Sequence, residues 1–216
     1  MPKPFDAAAV RAAYDVTAED YAEAFADDLL RLPIDRQVLD SVVQRLGGDS
    51  LVLDLGCGPG QVGQYLAERG LRVVGLDLAL QMLLVARRRT SNRNLACGDM
   101  RSAPFGSGSF PAVVAFYSIH HLRRSALRTA LIEIRRLLKP AGLFVVATHL
   151  GESEVYNSEF LGHQIAPVGG TLYRNDELLD ELQSQSFVVE DVRNRDPLPH
   201  EHQSRRIYVT ARLAGT

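Results

Sequence analysis

Residues 51–61 read LVLDLGCGPGQ, an apolar run that ends in three glycines at positions 56, 58 and 60. The apolar run predicts a buried strand. Glycines directly after a strand let the chain turn tightly and let backbone atoms approach a ligand without Cβ atoms between them. A loop in this position lies at the carboxyl end of a parallel strand, where open parallel sheets bind ligands. The stretch therefore predicts both the sheet and a binding site.

The chain after this loop alternates between strand-like and helix-like patterns, which predicts crossover helices and a parallel sheet covered on both faces. The last two strand-like runs are too close for a crossover helix and are predicted to pair antiparallel. Residues 151–174 have no clean periodicity. The predicted strands are 50–56, 71–77, 94–100, 110–118, 143–150, 187–193 and 205–213. The predicted helices are 6–30, in one piece or broken near Val16 and Thr17, then 35–48 with Asp35 as N-cap, 61–70, 78–89, 123–142 and 175–186 with Asn175 as cap.

Composition excludes several classes of protein. The net charge of −2 and pI near 6.3 give no overall attraction to nucleic acid or to an anionic membrane. Cys57 and Cys97 are too few for a disulfide framework, and no secretory signal or long apolar run is present. We therefore expect a cytoplasmic protein, a monomer or homodimer, that binds neither nucleic acid nor membrane. We expect one domain over 1–216, with a helical lid at 1–47, a cofactor-binding core at 50–150, and an acceptor-side insertion with closing strands at 151–216.

The acids around the loop narrow the choice of ligand. The glycine spacing is GxGxG, one residue shorter than the dinucleotide pattern GxGxxG. Asp77, at the end of the second strand, can accept hydrogen bonds from both hydroxyls of a ribose. No GxxxxGK[ST] sequence follows the strand and nothing near the loop is basic, which excludes a P-loop.

With Asp54 before the first glycine and Asp99 in the CGDM stretch after the third strand, the sequence resembles the class I S-adenosylmethionine-dependent methyltransferases, in particular the small-molecule branch with a DLGCGPG motif. The resemblance implies a Rossmann-like, doubly wound α/β fold with strand order 3-2-1-4-5-7-6, strand 7 antiparallel, and N-terminal helices. It implies in-line methyl transfer from S-adenosylmethionine to an O, N or C atom of a small molecule, with S-adenosylhomocysteine as product. A nicotinamide-dependent oxidoreductase and a noncatalytic cofactor-binding module are the alternatives.

The resemblance also assigns cofactor-binding positions. Gly56 and Gly58 would lie along the methionine moiety, Asp77 would hold the ribose, and Asp99 would accept from the adenine amino group. Tyr14 and Tyr21 lie one heptad apart on a predicted helix and are candidate lid residues or ordinary core aromatics. The full candidate set is Tyr14, Tyr21, Asp54, Gly56, Cys57, Gly58, Gly60, Asp77, Leu78, Met82, Asp99, Met100, Phe116 and Tyr117, with Cys57 also interpreted as a small packing residue.

Candidate residues for chemistry follow the fourth and fifth strands. His120 and His121 are candidate bases, since imidazole titrates near working pH, but the HHL ending is also compatible with helix capping or packing. His149, His163, Tyr173 and Arg195 are candidate acceptor-binding residues; for His163 and Tyr173 a solvated surface loop is the alternative. The run 193–206 contains HEH, which is weak evidence for a metal, and we predict no metal site.

Overall fold

A computed structural model describes residues 5–91 and 94–215; residues 1–4, part of the expected lid and of the stretch that lacks signal features, lie outside it. No helix in the described ranges is both long and apolar enough to cross a membrane. The helices are α1 Ala7–Ala24, α2 Asp28–Arg31, α3 Pro33–Leu46, α4 Gln61–Ala67, α5 Leu80–Arg89, α6 Leu127–Leu137 and α7 Asn175–Ser184, with 3-10 turns at Ile119–His121 and Arg124–Ala126. The strands are β1 Leu51–Leu55, β2 Arg72–Asp77, β3 Leu95–Cys97, β4 Phe110–Phe116, β5 Leu138–Leu150, β6 Glu154–Phe160, β7 His163–Thr171, β8 Phe187–Arg195 and β9 Arg205–Leu213.

Seven strands form one sheet in the order β3-β2-β1-β4-β5-β9-β8. The pairs from β3 to β5 are parallel, whereas β9 is antiparallel to both β5 and β8. The expected order 3-2-1-4-5-7-6 is therefore confirmed, since β8 and β9 are the sixth and seventh strands of this sheet in chain order. The parallel pairs bring the carboxyl ends of β1, β2 and β4 to the same edge of the sheet, which is where the glycine loop begins.

Helices bury both faces of this sheet. On one face α6 and α7 contribute Leu131, Ile134 and Leu178 to a core that includes Phe144. On the other face α3 and α4 place Leu39 and Leu66 against the apolar strands. The strands read as nearly continuous apolar runs because parallel strands in such a sheet are covered on both sides.

The aperiodic segment 151–174 forms a β-hairpin, β6–β7, that stands apart as a two-stranded sheet. The conformation of this segment could not be derived from its sequence pattern. Most side chains of β6 are exposed and polar, so the alternation that identifies a half-buried strand is missing. The hairpin instead packs through β7 against α1 and the 3-10 turn that holds His120 and His121.

Three helix boundaries also differ from the sequence-based expectation. Helix α3 begins at Pro33, whose missing N–H is tolerated in a first turn, and Asp35 is buried rather than a cap. Helix α7 already includes Asn175; its N-cap is Arg174, whose N–H donates to Glu177 at 3.3 Å. Helix α1 ends at Ala24 rather than near Leu30. It runs unbroken through Thr17, in agreement with one of the two expectations, and the Thr17 hydroxyl donates to the carbonyl of Ala13.

Candidate cofactor and acceptor site

A cavity of about 850 Å³ opens at the carboxyl ends of β1, β2, β4 and β5. This volume lies within the range of small-molecule sites. Helix α1 and the β6–β7 hairpin cover the cavity, and the segment between β8 and β9 forms part of its wall. We call the part lined by the glycine loop the glycine-loop end, and the part lined by His120, His121, His149 and the hairpin the histidine end.

The glycine loop is held in one shape by its own backbone. Gly56, Gly58 and Gly60 all have positive φ angles, of 77°, 51° and 92°. A Cβ atom on Gly56 would lie 2.3 Å from the Cβ of Ser118, so the loop can pass close to the end of β4 only with glycine there. Gly60 does not line the cavity and instead shapes the turn into α4.

Asp77 is the side chain that fastens this loop to the end of β2. Its Oδ2 accepts from the N–H of Gly58 at 2.8 Å, and its Oδ1 accepts from the N–H of Ala79 at 2.8 Å. Burial raises the pKa of Asp77, and these backbone hydrogen bonds oppose the shift. Asp77 also lines the cavity, and a carboxylate with two bonds still has lone pairs for further donors.

Asp54, at the end of β1, is a buried acid with one carboxylate oxygen that has no hydrogen-bond donor. It is only 1% exposed and its Oδ2 makes no hydrogen bond. Burial, and then the neighbouring charge of Asp77, raise the pKa of Asp54 to about 7. An unsatisfied buried carboxylate oxygen is costly, so this position favours a ligand that brings a cation or an N–H donor.

Asp99 lies on the far side of the glycine-loop end. Burial alone would raise its pKa, but hydrogen bonds from the Arg101 guanidinium and backbone lower it below its usual value. Arg101 is a cavity residue that sequence reasoning missed. The remaining predicted residues of this end, Cys57, Leu78, Met82, Met100 and Phe116, all line the cavity. Burial raises the pKa of the Cys57 thiol well above its ordinary value, in keeping with a packing role.

Helix α1 brings Tyr14 and Tyr21 into the cavity wall. Their ring centroids lie 5.8 Å apart, and Tyr21 is 4.5 Å from Phe25. The helix is fixed to α5 by Asp15, whose Oδ1 accepts from the N–H of Gln81 at 2.9 Å. The two tyrosines therefore combine both expected roles, since they pack against small apolar clusters and also close the cavity.

His121 is fully engaged by hydrogen bonds. Its Nδ1 lies 3.1 Å from the carbonyl oxygen of Gly169, so Nδ1 carries the proton and donates. Its Nε2 lies 2.6 Å from the Tyr14 hydroxyl, which must then be the donor. Burial lowers the pKa of His121 to about 4, partly offset by the bond to Gly169. His121 is thus a neutral imidazole that orients Tyr14.

His120 and His149 are neutral imidazoles with a different arrangement. The His120 ring lies 3.9 Å from His121 and 5.0 Å from His149, and its buried Nδ1 has no partner. Burial, followed by the charges of neighbouring histidines, lowers the pKa of His120 well below its ordinary value. Burial and then Arg206 lower the pKa of His149 to about 3. Among the described residues no group of three or more His, Cys, Asp or Glu is arranged to hold a metal ion.

Three predicted acceptor residues do not line the cavity. Tyr173 is fully buried and its hydroxyl bonds to the carbonyl of Ile119, so it supports the 3-10 turn from below. His163 lies at the start of β7 and pairs with Asp20 of α1 at 2.6 Å. Arg195 is held by Glu201 in a bidentate pair, with Nη2 and Oε1 2.7 Å apart. The polar groups of all three residues are bonded to groups of the chain itself, which leaves no observation that places them against an acceptor.

Sequence reasoning missed a buried network beside the histidine end. The Tyr208 hydroxyl donates to Asp35 at 2.6 Å and accepts from the Tyr117 hydroxyl at 2.8 Å and from Arg195 at 2.8 Å. Tyr117, at the end of β4, has a φ angle of 51°, which is unusual for a residue with a side chain. No spacing along the chain signals this network, because Asp35 and Tyr208 are 173 positions apart.

The comparison with protein families finds one match within the chain. Residues 52–142, from β1 to the start of β5, match the family described as a methyltransferase domain. This segment contains the glycine loop and the acids at positions 54, 77 and 99. It does not include α1, the β6–β7 hairpin or the last two strands.

Curated relatives match a larger part of the chain. The malonyl-[acyl-carrier protein] O-methyltransferase of Enterobacter lignolyticus is 31% identical over 155 residues, which are 71% of this chain and 58% of that protein. The demethylmenaquinone methyltransferase of Renibacterium salmoninarum is 32% identical over 148 residues, which are 63% of this chain and 62% of that protein. The chain spans about three fifths of the length of these two relatives.

Solved structures show the same fold along the entire chain. The 1,6-didemethyltoxoflavin-N1-methyltransferase of Burkholderia thailandensis, solved with 1,6-didemethyltoxoflavin and S-adenosylhomocysteine bound, superimposes with a TM-score of 0.74. The match covers 99% of this chain and 92% of that one at 22% identity. At this identity the likeness establishes the fold, and the histidine end has to be interpreted from its own geometry.

Proposed function

We propose that the chain is a class I S-adenosylmethionine-dependent methyltransferase, which transfers the methyl group of S-adenosylmethionine to an O, N or C atom of a small molecule. The match of residues 52–142 to the methyltransferase-domain family and the fold support this proposal. When bound, the cofactor supplies a methyl group already activated by a sulfonium. The task of the protein is then to hold the acceptor in line and to exclude water.

The glycine-loop end fits this cofactor. S-adenosylmethionine carries a sulfonium and an ammonium but no phosphate, so buried carboxylates suit it better than a basic loop. The unsatisfied Oδ2 of Asp54 is the observation that carries the proposal, since it needs a donor that the protein does not provide. Asp54 would meet the ammonium and Asp77 the ribose hydroxyls. Leu78 and Met82 would flank the adenine, beside Asp99 and the Met100 amide.

The histidine end suits an acceptor with apolar or aromatic surface. Phe5, Tyr14, Phe160 and Val168 line it, and its imidazoles are neutral. The names of the similar proteins specify O-methylation of a malonyl group, methylation of demethylmenaquinone and N1-methylation of 1,6-didemethyltoxoflavin. These names support a small-molecule acceptor as a class. In this arrangement His121 orients Tyr14, and His120 contributes an imidazole without hydrogen-bond partners at its buried Nδ1.

Calorimetry with S-adenosylmethionine, S-adenosylhomocysteine and NAD in parallel tests the cofactor. We expect micromolar binding of the first two and none of NAD. Asp77→Ala should weaken binding by about 1 to 3 kcal/mol, the scale of hydrogen bonds to a charged group. Asp49→Ala is the matched control, because the Asp49 side chain is 86% exposed and remote from the loop.

Binding of NAD alone would overturn the proposal in favour of an oxidoreductase. Unchanged affinity in Asp77→Ala would overturn the ribose assignment. If the cofactor binds but a broad panel of hydroxyl, amine and carbon-acid acceptors yields no S-adenosylhomocysteine, the noncatalytic module is the correct interpretation.

A further inference from the structure

Ser204, in the segment before β9, connects two histidines. Its Oγ lies 2.8 Å from Nδ1 of His149 and 3.1 Å from Nδ1 of His202. The Arg206 guanidinium donates to the same oxygen from 2.9 Å. Ser204 is 8% exposed, so water does not compete freely for these three bonds.

The three bonds constrain where protons can be. A hydroxyl donates one hydrogen bond and accepts two. Arg206 can only donate, so it uses one of the two accepting positions. Ser204 must therefore donate to one histidine Nδ1 and accept from the other. His149 and His202 are thereby held in complementary states, in which one Nδ1 carries a proton and the other does not.

Both histidines line the cavity, but they differ in exposure. His149 lines the cavity at the end of β5, and its Nε2 makes no hydrogen bond with any described residue. His202 is exposed. A continuous chain of hydrogen-bonding groups therefore runs from the cavity through the buried Ser204 to a histidine in contact with solvent.

We propose that His149, Ser204 and His202 form a proton path that carries the proton released by the methyl acceptor from the cavity to water. This inference rests on the proposed methyl transfer and specifies its acceptor class, namely compounds with a proton on the atom that is methylated.

The step balances as follows. The acceptor atom would form a bond to the methyl carbon as the carbon–sulfur bond of the sulfonium breaks with its electron pair left on sulfur, which yields S-adenosylhomocysteine, and would give its proton to Nε2 of His149. The Nδ1 proton of His149 moves to Oγ of Ser204, whose own proton moves to Nδ1 of His202, and His202 releases its Nε2 proton to water. The final state is the other of the two complementary proton arrangements, so no charge remains buried.

The two imidazoles of the 3-10 turn lack such a route. Both nitrogens of His121 are occupied, and Nδ1 of His120 is buried without a partner. His149 is faced by Tyr117 from β4, by His120 and His121 from the 3-10 turn, by Arg206 from β9, and by Glu201 and His202 from the preceding segment. Burial, and then the Arg206 guanidinium, lower the pKa of His149 and favour its neutral form, so it accepts a proton only in passing.

Nitrogen-15 NMR of the histidine side chains, in protein saturated with S-adenosylhomocysteine, tests the proton positions. At pH 8 we expect one protonated and one unprotonated Nδ1 between His149 and His202. Ser204→Ala should remove this pairing, and Ser204→Thr, which keeps the hydroxyl, should retain it. The same protonation at both Nδ1 atoms in the unmodified protein would overturn the proposal.

Exchange of the His149 ring proton with water tests the path itself. His202→Asn keeps an acceptor for the Ser204 hydroxyl but cannot relay a proton, so exchange of the His149 ring proton should slow severalfold. The His121 ring proton is the internal control and Ser184→Ala the matched surface variant, and neither rate should change. If His202→Asn binds S-adenosylhomocysteine and its His149 ring proton exchanges at the unmodified rate, the proton path alone is refuted. If the unmodified protein does not bind S-adenosylhomocysteine, the proposed function is refuted.

Discussion

The two ends of the cavity are both buried, yet burial acts on their titratable groups in opposite directions. At the glycine-loop end it raises the pKa values of Asp54 and Asp77, and at the histidine end it lowers those of His121 and His149. The cause is the same, because low-dielectric surroundings disfavour whichever form is charged. The consequence differs: one end contains carboxylates that need a cationic partner, and the other contains imidazoles that stay neutral. The glycine-loop end therefore suits a positively charged ligand, and the histidine end suits an uncharged one.

The ends also differ in the parts of the chain that build them. The glycine-loop end comes from short stretches at the ends of consecutive strands, and its key contacts use backbone atoms. The histidine end joins distant residues: Tyr14 and His121 are 107 positions apart, and His149 and Ser204 are 55 apart. The first end is fixed by the core of the sheet, and the second depends on how α1 and the hairpin are placed.

The largest effect should come from Gly56→Ala, which attacks the backbone-built end. The added Cβ would lie 2.3 Å from Ser118 and would require a positive φ. Strain and overpacking together should cost about 2 to 5 kcal/mol of unfolding free energy. Binding of S-adenosylhomocysteine should be lost. Thermal unfolding and calorimetry measure the two effects.

Gly70→Ala is the control for backbone strain without the clash, since Gly70 has a φ of 90° and an added Cβ meets nothing within 4 Å. It should lose stability through strain alone and keep its ligand affinity. If Gly56→Ala bound S-adenosylhomocysteine normally, binding would not depend on the close approach of the glycine loop to the end of β4.

These properties explain how much of the molecule is predictable from sequence. The glycine loop, Asp77 and the alternation of strands with helices follow from local patterns, because a strand, a tight turn and a crossover helix are each encoded within about ten residues. The order of the seven strands is implied by the resemblance to the methyltransferase family. The assignments of Asp54, Leu78, Met82 and Asp99 come from the family resemblance, and all four residues line the cavity. Asp54, Leu78 and Asp99 lie in or within two residues of a parallel strand, whereas Met82 lies in α5. The interactions that determine these elements join residues that are close together in the sequence.

The remainder depends on contacts between distant segments. Nothing in residues 151–174 indicates the hairpin, because most side chains of β6 are exposed and carry no alternation. Arg195 looks like a free cation in the sequence, but Glu201 neutralises it across a turn. The partner of His121 is Tyr14 only because α1 crosses the cavity. Such pairings are decided by tertiary packing, which single-sequence patterns do not contain.

A second prediction sharpens the contrast in charge. The folded-state pKa of Asp54 is about 7, above the value of about 3.9 expected in an unfolded chain. Between about pH 4 and 7 the folded protein therefore keeps a proton on Asp54 that the unfolded chain has released. The contribution of Asp54 to the free energy of unfolding falls as pH rises through that range. Asp54→Asn removes this penalty, so the variant should be more stable than the unmodified protein at pH 8, by on the order of 2 kcal/mol.

The advantage of Asp54→Asn should shrink as pH falls toward 5, where Asp54 is already protonated in the folded state. Affinity for S-adenosylhomocysteine should fall in the same variant, because the ammonium loses its carboxylate. Unfolding temperatures at pH 5 and 8 measure the first effect and calorimetry the second. A stability difference that does not vary with pH would show that the two ends do not differ in charge as argued; Asp49→Asn supplies the exposed reference.

The smallest expected effect comes from Tyr14, the residue that belongs to both ends. Its hydroxyl reaches His121, whereas its ring lines the cavity beside Tyr21. Tyr14→Phe should therefore lower unfolding free energy by about 1 kcal/mol, one hydrogen bond, and leave S-adenosylhomocysteine affinity nearly unchanged. Tyr156→Phe, whose hydroxyl is on the exposed face of the hairpin, is the matched control and should cost less.

Tyr14→Ala removes the ring as well and should weaken S-adenosylhomocysteine binding, because α1 then no longer closes the glycine-loop end. The difference between the two variants separates the hydroxyl from the ring. If Tyr14→Phe alone lowered ligand affinity by about tenfold, the hydroxyl would act on the cofactor itself, since that loss is the full value of one strong hydrogen bond. Tyr14 would then belong wholly to the glycine-loop end, and the histidine end would begin at His121.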